Sequence, residues 1–598
     1  MSDKDNVSEG KERVSLKGAA QQDANQISPA KSLFSGRVVE SKVFPFPKLQ
    51  EEERETLTLV LESVDKLLSG REHEFRAFDV EGVQPDAYVD ELKAAGLFSL
   101  IIPEEYEGLG LSNSAYSRVL QQTSRYDGST SLTIGAHSSI GLKALLLFGT
   151  PEQKAKYLPK LASGELIAAF CLTEAGAGSD AASITTTATK NSDGTWTLNG
   201  EKIWITNGGT AGFYTVFART DSPAGKISAF IVEREWAGVS AGPKEDKMGI
   251  RASCTTTVRF NDVKVPHEAM LGEEGKGFKV AMAVLNNGRT GLGGGCVGAM
   301  KRLIEVSIAQ ASQRKQFGKS IAEFELIREK IAMMTMLCFA SESVVTMVGH
   351  YVDSGVEDFS VEAAISKVFI SEALWVVADE ALQIAGGNGF MREYPYERVV
   401  RDCRINRIFE GTNEILRLFI GLSGMKDAGA ELKDVSRSLS GIFNDPIKGF
   451  GILSSYASKK AAEVTSLARG KIGFAAPALR EEALELMKGV AKLGQNVEMV
   501  LKRHGKGIIE EQLATKRIAD ANIDLFVGLC VLSRVSSMIS ERGEEACRDE
   551  INIVRVFLQF ARVRVSNALK ALHRNEDKAL NDLAKSIVAR GSYGWDIV

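Results

Sequence analysis

Glu410 is the acid whose neighbours best suit base chemistry. It stands between Phe409 and Gly411 in the segment RIFEGTNE, residues 407–414. Apolar, uncrowded surroundings should keep water from its carboxylate, and burial raises a carboxyl pKa toward the range that suits a general base. The alternative is an ordinary surface acid at a helix start, where the helix dipole stabilises negative charge.

A glycine-rich segment, FCLTEAGAGSD (170–180), could hold a polar ligand. Its bend would expose backbone N–H groups together with the hydroxyls of Thr173 and Ser179, which suits a phosphate-bearing molecule. From composition alone, a plain connecting loop is an equal alternative.

Trp204 and Thr206 lie two residues apart on a predicted strand. Side chains at this spacing share one face of a strand. A planar cofactor could therefore stack on the indole and receive a hydrogen bond from the hydroxyl. Packing of Trp204 in the core is the alternative, and residue type alone favours it.

The segment GGGCVG fits G-x-G-x-x-G at Gly293, Gly295 and Gly298. A dinucleotide site of this kind needs a strand before the glycines and a parallel βαβ unit around them. The preceding segment, FKVAMAVLNNGR, instead has a helical pattern. We therefore expect a helix start that packs closely against a neighbour or a ligand.

Composition indicates a globular protein of several domains. The chain has 598 residues, too many for one hydrophobic core. Its 73 basic and 77 acidic side chains give a net charge of −4, which does not suit a general nucleic-acid binder. The seven cysteines and six histidines are scattered without ligand spacing, so we expect free thiols in a reducing compartment and no metal site.

The N-terminal residues MSDKDNVSEGKERVS lack the apolar centre of a secretory signal and the Arg-rich pattern of a mitochondrial leader. No uninterrupted apolar run reaches the roughly 18 residues that span a bilayer. These features predict a cytoplasmic location.

The hydrophobic period changes along the chain in the order α, β, α, α. Residues 1–35 are polar and are predicted to be a flexible tail, and 36–165 a helical domain. Short alternating runs with Asn-Gly turns predict an antiparallel β-domain at 166–275. Helical periodicity returns at 276–425, and an extra helical domain is predicted at 437–598.

Seven segments, taken together and in order, resemble the acyl-CoA dehydrogenase family. They are LPKLASGE, FCLTEAGAGSDAAS, LNGEKIWITNGG, NNGR, RKQFGK, QIAGGNGF and FEGTNEILR. The similarity runs from about residue 40 to 425 and continues through the extra helical domain, as in the very-long-chain branch. The resemblance implies a mainly α fold: an N-terminal α-domain, a central antiparallel, barrel-like β-domain, an α-bundle and an extra C-terminal helical domain, with FAD between the first three.

The resemblance also implies an activity. It is the FAD-dependent oxidation of long-chain fatty acyl-CoA to trans-2-enoyl-CoA, the first step of fatty-acid β-oxidation, with electrons passed to an electron-transfer flavoprotein. Glu410 would remove the α-proton, while its backbone N–H and a flavin hydroxyl hold the thioester carbonyl. Two alternatives stay open: an acyl-CoA oxidase, and a respiratory-complex assembly factor with residual dehydrogenase activity.

Site residues follow from the resemblance motif by motif. One group should contact FAD within the subunit: Phe170, Leu172, Thr173, Gly178, Ser179, Trp204, Ile205 and Thr206. A second group should reach FAD across the subunit boundary of a homodimer or tetramer, or approach its adenosine: Arg314, Phe317, Gln383, Gly387, Thr412 and Glu414. Substrate contacts are expected at Ser179, Asn286, Arg289 and Gly411. Ala175 stands where the family commonly has proline, which removes no ligand.

Two segments bear on the substrate and on the location. The stretch GSTSLTIGAHSSIG (128–141) should lie at the base of the acyl pocket, where its small residues leave room for long tails, about C14 and above by family analogy. Residues 443–471 combine Phe and Ile with several Lys. This pattern is typical of a segment at a membrane surface, or of an amphipathic helix packed on protein.

Overall fold

The computed structural model describes residues 28–220, 226–440 and 472–597. The described chain divides into two compact units: a core unit of residues 47–416, and a C-terminal unit that joins residues 28–46 to 417–597. The predicted segment 443–471 lies outside the described residues.

The prediction of a flexible tail over residues 1–35 is wrong for residues 28–35, which have a defined structure. They begin with the short helix α1 (Pro29–Ser32), capped by the Ser28 side chain. Phe34 is buried against Gly424, where any Cβ would overlap the Phe34 ring. The polar composition of the first 35 residues hid this anchor because the contact is made nearly 400 residues away in sequence.

The core unit begins with a helical layer. Its helices are α2 (Glu51–Leu68), α3 (Glu72–Glu81), α4 (Asp86–Ala94), α5 (Asn113–Tyr126), α6 (Gly128–Gly135), α7 (Lys143–Phe148) and α8 (Pro151–Ala162). The start of α8 is fixed by sequence: Thr150 and Gln153 form a reciprocal capping box and Pro151 occupies the first turn. Because both orphan N–H groups are satisfied locally, this boundary does not depend on tertiary packing.

A wide π-type turn at Ala136–Gly141 links α6 to α7. His137 in this turn is fully buried. Its Nδ1 accepts from the Ala168 N–H (3.0 Å), so Nε2 carries the proton donated to the Phe98 carbonyl (3.1 Å). Burial lowers the His137 pKa to about 4, which keeps the ring neutral and the link to the first strand intact at neutral pH.

The middle of the core unit is one sheet. Its strands are β1 (Ala168–Cys171), β2 (Thr187–Lys190), β3 (Trp196–Thr206), β4 (Phe213–Thr220), β5 (Ile227–Glu233), β6 (Val239–Lys244), β7 (Thr255–Val265) and β8 (Met270–Leu271). The order is β6-β7-β3-β2-β4-β5-β8, with β1 paired to β4. The β-domain is confirmed, but β1 and β2 both run parallel to β4. Turn signals reveal only pairs that are adjacent in sequence, so these longer-range parallel pairs were not predicted.

A helical bundle completes the core unit. Its helices are α9 (Gly277–Gln313), α10 (Glu325–Asp353), α11 (Ser360–Ala385), α12 (Gly387–Phe390) and α13 (Tyr396–Cys403), and α14 (Asn413–Ser440) begins at its end. A small hairpin, β9 (Lys315–Gln316) and β10 (Lys319–Ser320), follows α9.

The glycine run of α9 lies in the middle of the helix, so the predicted helix start is wrong. The predicted close packing is correct. A Cβ at Gly293 would lie 2.8 Å from Val345, and one at Gly298 would overlap the Gln121 carbonyl oxygen. Glycine is therefore required because the α9 backbone meets the backbone of α5 at Gly298 and the Val345 side chain of α10 at Gly293.

The C-terminal unit contains α15 (Arg480–His504), α16 (Gln512–Arg542), α17 (Arg548–Lys570) and α18 (Asp577–Arg590). The centre of α16 is buried on all sides, and Asp524 on it pairs with Arg564 of α17 at 2.7 Å. The pairing satisfies a carboxylate that would otherwise be buried alone.

Three helical stretches are long and apolar enough to cross a membrane by length and composition, which the count of uninterrupted apolar runs missed. They are Gly128–Phe148, Glu325–Asp353 and Gln512–Arg542. In this structure 67 %, 61 % and 72 % of their most apolar windows are buried within the protein. Burial against other helices accounts for their composition here.

The glycine contacts of α9 predict a contrast between two alanine variants. Gly298→Ala should destabilise the protein by about 1–3 kcal/mol, because overpacking at a backbone contact forces the helices apart. Gly295→Ala should be neutral or stabilising, since its Cβ would meet Ser131 Oγ at an ordinary 3.4 Å and alanine favours helix. Thermal unfolding of both variants checks this, and equal melting temperatures would contradict the packing argument.

Candidate active site

Glu410 lies in the turn between α13 and α14. Its φ of 55° and the 90° of Gly411 place two consecutive residues in the left-handed region. Glycine adopts this conformation freely, whereas a glutamate there costs roughly 1 kcal/mol or more. Strain of this kind persists where surrounding contacts hold the backbone, and it is common at functional sites.

The carboxyl group of Glu410 is shielded from water. Oε2 is buried and has no hydrogen-bond partner within the part of the chain that the structure describes. Burial raises the Glu410 pKa, and the positive charges of Arg289 and Lys367 partly oppose the rise. The structure therefore places a buried acid here, and the alternative of a surface acid at a helix start is wrong.

Arg289 of α9 lies beneath the Glu410 turn. Its Nη2 donates to the Glu410 carbonyl (3.4 Å) and its Nη1 to Asn286 Oδ1 (2.7 Å). Burial lowers its pKa to about 10, so the guanidinium stays charged at neutral pH. The resemblance assigned Arg289 to the CoA arm, but the structure turns it inward because it lies on the buried face of a long helix.

Lys367 of α11 holds the other side of the same turn, and sequence reasoning missed it. Its Nζ donates to the Gly411 carbonyl (2.7 Å) and to Asn413 Oδ1 (2.8 Å). The side chain is fully buried, which lowers its pKa to about 8. One lysine within the apolar run VEAAISKVFIS was the available signal.

The space beside Glu410 is kept open by Gly288 of α9. A Cβ there would lie 2.8 Å from Ile140 and 3.7 Å from Glu410 Oε1. Tyr116 is buried nearby and shares a hydrogen bond with Ser139 Oγ (2.7 Å). Ile140 and Ser139 both belong to the π-type turn, so the stretch predicted to lie at the pocket base is adjacent to Glu410.

Trp204 lies at the surface, so the alternative that it packs in the hydrophobic core is wrong. Its side chain is 64 % exposed and its φ is 56°. A β-bulge between Lys202 and Ile205 in the β3–β7 pairing breaks the alternation of the strand, leaving Ile205 buried. The pairing resumes at Ile205, opposite Thr256, and continues at Thr206, opposite Thr255, so Trp204 itself lies within the bulge.

The glycine-rich segment is anchored by a buried ion pair that sequence reasoning also missed. Glu174 Oε1 accepts from Lys202 Nζ (2.7 Å), and its carboxylate also accepts the N–H groups of Thr185 and Thr186. Lys202 donates in addition to the Leu172 carbonyl (3.1 Å). These donors lower the Glu174 pKa to about 2. The Glu174 carboxylate therefore stays charged at neutral pH, and its contact with Lys202 holds the segment against β3.

The structure brings the first predicted group together at the end of β1 and the bulge of β3. The Thr173 carbonyl accepts from the Ile203 N–H (2.9 Å), which joins the two segments. Phe170 is half-buried beside Phe217, and Leu172 is buried. Gly178 and Ser179 are exposed, and a Cβ at Gly178 would meet nothing within 4 Å.

The second predicted group lies on the surface of the core unit. Phe317 is 93 % exposed at φ 54° and forms a two-residue hairpin loop with Gly318, next to exposed Arg314. Gln383 and Gly387, near the junction of α11 and α12, are exposed, and so is Glu414, whereas Thr412 is half-buried. Of seven non-glycine residues with positive φ in the described chain, three are predicted site residues: Trp204, Phe317 and Glu410.

These features fit a bound flavin. An exposed indole held by a bulge offers a stacking surface, Phe170 and Leu172 offer an apolar border, and the open backbone around Gly178 leaves room for a phosphate group. The buried Glu410 Oε2, which has no hydrogen-bond partner among the described residues, leaves a carboxyl oxygen available to a substrate. Fold and site together define the class of the protein as a flavin-dependent enzyme.

Comparison with known proteins agrees. Residues 50–165, 169–263 and 275–424 match the N-terminal, middle and C-terminal domains of acyl-CoA dehydrogenase, and 477–593 match the "ACAD9/ACADV, C-terminal domain". The chain is 42 % identical to the very long-chain specific acyl-CoA dehydrogenase, mitochondrial, of Homo sapiens, over 95 % of this chain and 88 % of that protein. It is 39 % identical to a probable acyl-CoA dehydrogenase of Bacillus subtilis, over 81 % of each.

A solved structure adds the cofactor. The acyl-CoA dehydrogenase of Bacillus anthracis, complexed with FAD, superposes with a TM-score of 0.77 at 33 % identity, covering 92 % of this chain and 94 % of that one. The chain therefore belongs to the acyl-CoA dehydrogenase family. The predictions of family, of fold and of FAD as cofactor are confirmed.

Proposed function

We propose that this protein oxidises long-chain fatty acyl-CoA to trans-2-enoyl-CoA, the first step of fatty-acid β-oxidation, with Glu410 as the base. One observation carries the assignment of the base: a buried carboxylate oxygen that has no hydrogen-bond partner in residues 28–220, 226–440 and 472–597, on a strained turn held by Arg289 and Lys367. FAD, when bound, supplies the acceptor for the β-hydride.

The protein's own residues would prepare the proton transfer. Burial makes Glu410 a stronger base than an exposed glutamate, and its unpartnered Oε2 can accept the α-proton. The backbone N–H of Glu410 would donate to the thioester carbonyl, whose oxygen gains negative charge as the proton leaves. Trp204 would hold the flavin ring and exclude water from its face.

The test is an anaerobic titration with palmitoyl-CoA, which bleaches the flavin band if the enzyme is active. Glu410→Gln should bleach about 10²–10⁴ times more slowly, because it removes the base but little volume. Glu105→Gln, at an exposed acid, is the matched control and should bleach normally. A Glu410→Gln enzyme that retains FAD and bleaches at the wild-type rate would overturn the assignment.

The same titration with acyl-CoAs of graded length tests the long-chain preference. Support comes from small buried residues in α6 and in the π-type turn that also carries Ser139 and Ile140; they include Ser131, Gly135 and Ala136. We expect palmitoyl-CoA to bleach the flavin faster than octanoyl-CoA, since small side chains leave room for a long tail. Much faster bleaching by octanoyl-CoA would contradict this.

We propose an electron-transfer flavoprotein as the acceptor, in line with the family resemblance. The bleached enzyme should then be reoxidised quickly by added electron-transfer flavoprotein and slowly by air. Rapid reoxidation in air with release of peroxide would instead favour an acyl-CoA oxidase.

We propose a homodimer in which Phe317 contacts the second copy. Phe317 is held at positive φ and meets Phe324 edge-on at 6.1 Å, but 93 % of its side chain is exposed, so most of the ring is uncovered within its own chain. Phe317→Ser should shift the protein toward monomer in sedimentation and weaken retention of FAD. Lys315→Ser on the same hairpin is the control and should sediment as the wild type does, and a monomeric wild type would contradict the proposal.

For location we propose the cytoplasm. Residues 443–471 leave two alternatives, contact with a membrane surface or packing on protein. Flotation with anionic liposomes separates them. Protein that remains at the bottom of the gradient would eliminate membrane contact.

A further inference from the structure

Two buried cations hold the two carbonyl groups of the left-handed pair. The Glu410 carbonyl accepts from Arg289 of α9, and the Gly411 carbonyl accepts from Lys367 of α11. Lys367 makes the shorter contact, 2.7 Å against 3.4 Å, and also binds Asn413 Oδ1, the first residue of α14. Lys367 thus ties together Gly411 and Asn413, the first and third residues after the proposed base.

Packing alone does not account for a lysine at this position. The residues around it on α11 are buried, among them Ile365 and Val368, and an apolar side chain would avoid the cost of burying an ammonium group. Both hydrogen-bond acceptors of Lys367 are neutral oxygens, so the hydrogen bonds bring no negative charge to the ammonium group. Glu410 exerts the largest favourable charge interaction on Lys367, larger than that of Glu372.

We propose that Lys367 is a positioning residue for Glu410: its ammonium group fixes the turn that carries the base, and its charge stabilises the carboxylate form of the base. The proposal rests on the proposed function of Glu410. The two cations hold different parts of the turn. Arg289 binds the carbonyl of Glu410 itself, and Lys367 binds the carbonyl of Gly411 and the side chain of Asn413.

The other charged and titratable groups around Glu410 do not replace Lys367. Cys296 of α9 and Tyr116 of α5 face it, and burial raises the pKa of both, so they stay neutral. Arg289 remains when Lys367 is changed, so one of two cations is removed. Glu372, five residues further along α11, is an acid that pairs with Arg407 at 3.0 Å, so it cannot replace the positive charge of Lys367.

Two substitutions separate the charge of Lys367 from its hydrogen bonds. Lys367→Gln keeps a donor but removes the charge, so the pKa of Glu410 should rise. The acid limb of the pH profile of kcat/KM should move to higher pH by about one unit, because an opposite charge nearby favours the carboxylate by that order. Lys367→Arg keeps the positive charge but replaces the ammonium group by a larger, planar guanidinium group. The acid limb of the kcat/KM profile should therefore stay in place while kcat falls.

Lys143→Gln is the matched control. Lys143 is also a buried lysine of the core unit, its Nζ donates to Asn113 Oδ1 (3.2 Å), and burial lowers its pKa to about 8. Its favourable charge partner is Asp353 rather than Glu410. Lys143→Gln should therefore cost stability to a similar degree and leave the acid limb of the profile unmoved.

A second measurement does not depend on turnover. An infrared pH titration reports the Glu410 carboxyl group directly, with the Glu410→Gln spectrum subtracted to isolate its band. An unchanged Glu410 pKa in folded Lys367→Gln, or an equal shift in Lys143→Gln, would overturn the proposal. If Lys367→Gln does not fold, Lys367→Arg decides the positioning role, and a wild-type kcat would overturn it.

Failure of the proposed function gives a different result. Turnover retained by Glu410→Gln would remove Glu410 as base, whatever Lys367 does. The infrared shift in Lys367→Gln would still report whether the lysine stabilises the carboxylate. A null infrared result together with inactive Glu410→Gln would remove the Lys367 proposal alone.

Discussion

The balance of charge around the buried Glu410 carboxylate constrains the rest of the core unit. A lone buried carboxylate would take up a proton, and two buried cations without it would be equally costly. Arg289 comes from α9, Lys367 from α11 and the carboxylate from the turn before α14. The two helices must therefore bring Arg289 and Lys367 within hydrogen-bond distance of the turn that carries Glu410. Small shifts in helix packing would displace the Glu410 side chain.

The glycines of α9 make that register possible. Close contact of Gly293 with the Val345 side chain of α10, and of Gly298 with the α5 backbone, fixes the helix that carries Arg289. Gly288 on the same helix leaves space beside the Glu410 carboxylate. One segment thus serves packing and access together, and its resemblance to a dinucleotide motif arises from the need for close contact alone.

The flavin side of the site depends on a second buried charge pair. Glu174 and Lys202 hold the glycine-rich segment against β3, just before the bulge that turns Trp204 outward. Glu174 and Lys202 are buried, whereas Trp204 and the backbone around Gly178 are exposed. Buried cations therefore hold backbone in place in both halves of the site: Lys202 through its ion pair with Glu174, and Arg289 and Lys367 through hydrogen bonds to backbone carbonyl groups.

The sequence by itself determined the family, the order of helical and β regions, FAD as cofactor and the candidate base, because ordered motifs and hydrophobic periods are local properties of the chain. It did not reveal the parallel pairing of β4, the anchor at Phe34, the inward turn of Arg289, or the roles of Lys202 and Lys367. Each of these depends on partners distant in sequence. Whether a lysine is a solvated surface group or a buried cation beside a carboxylate is decided only when packing removes the water around it.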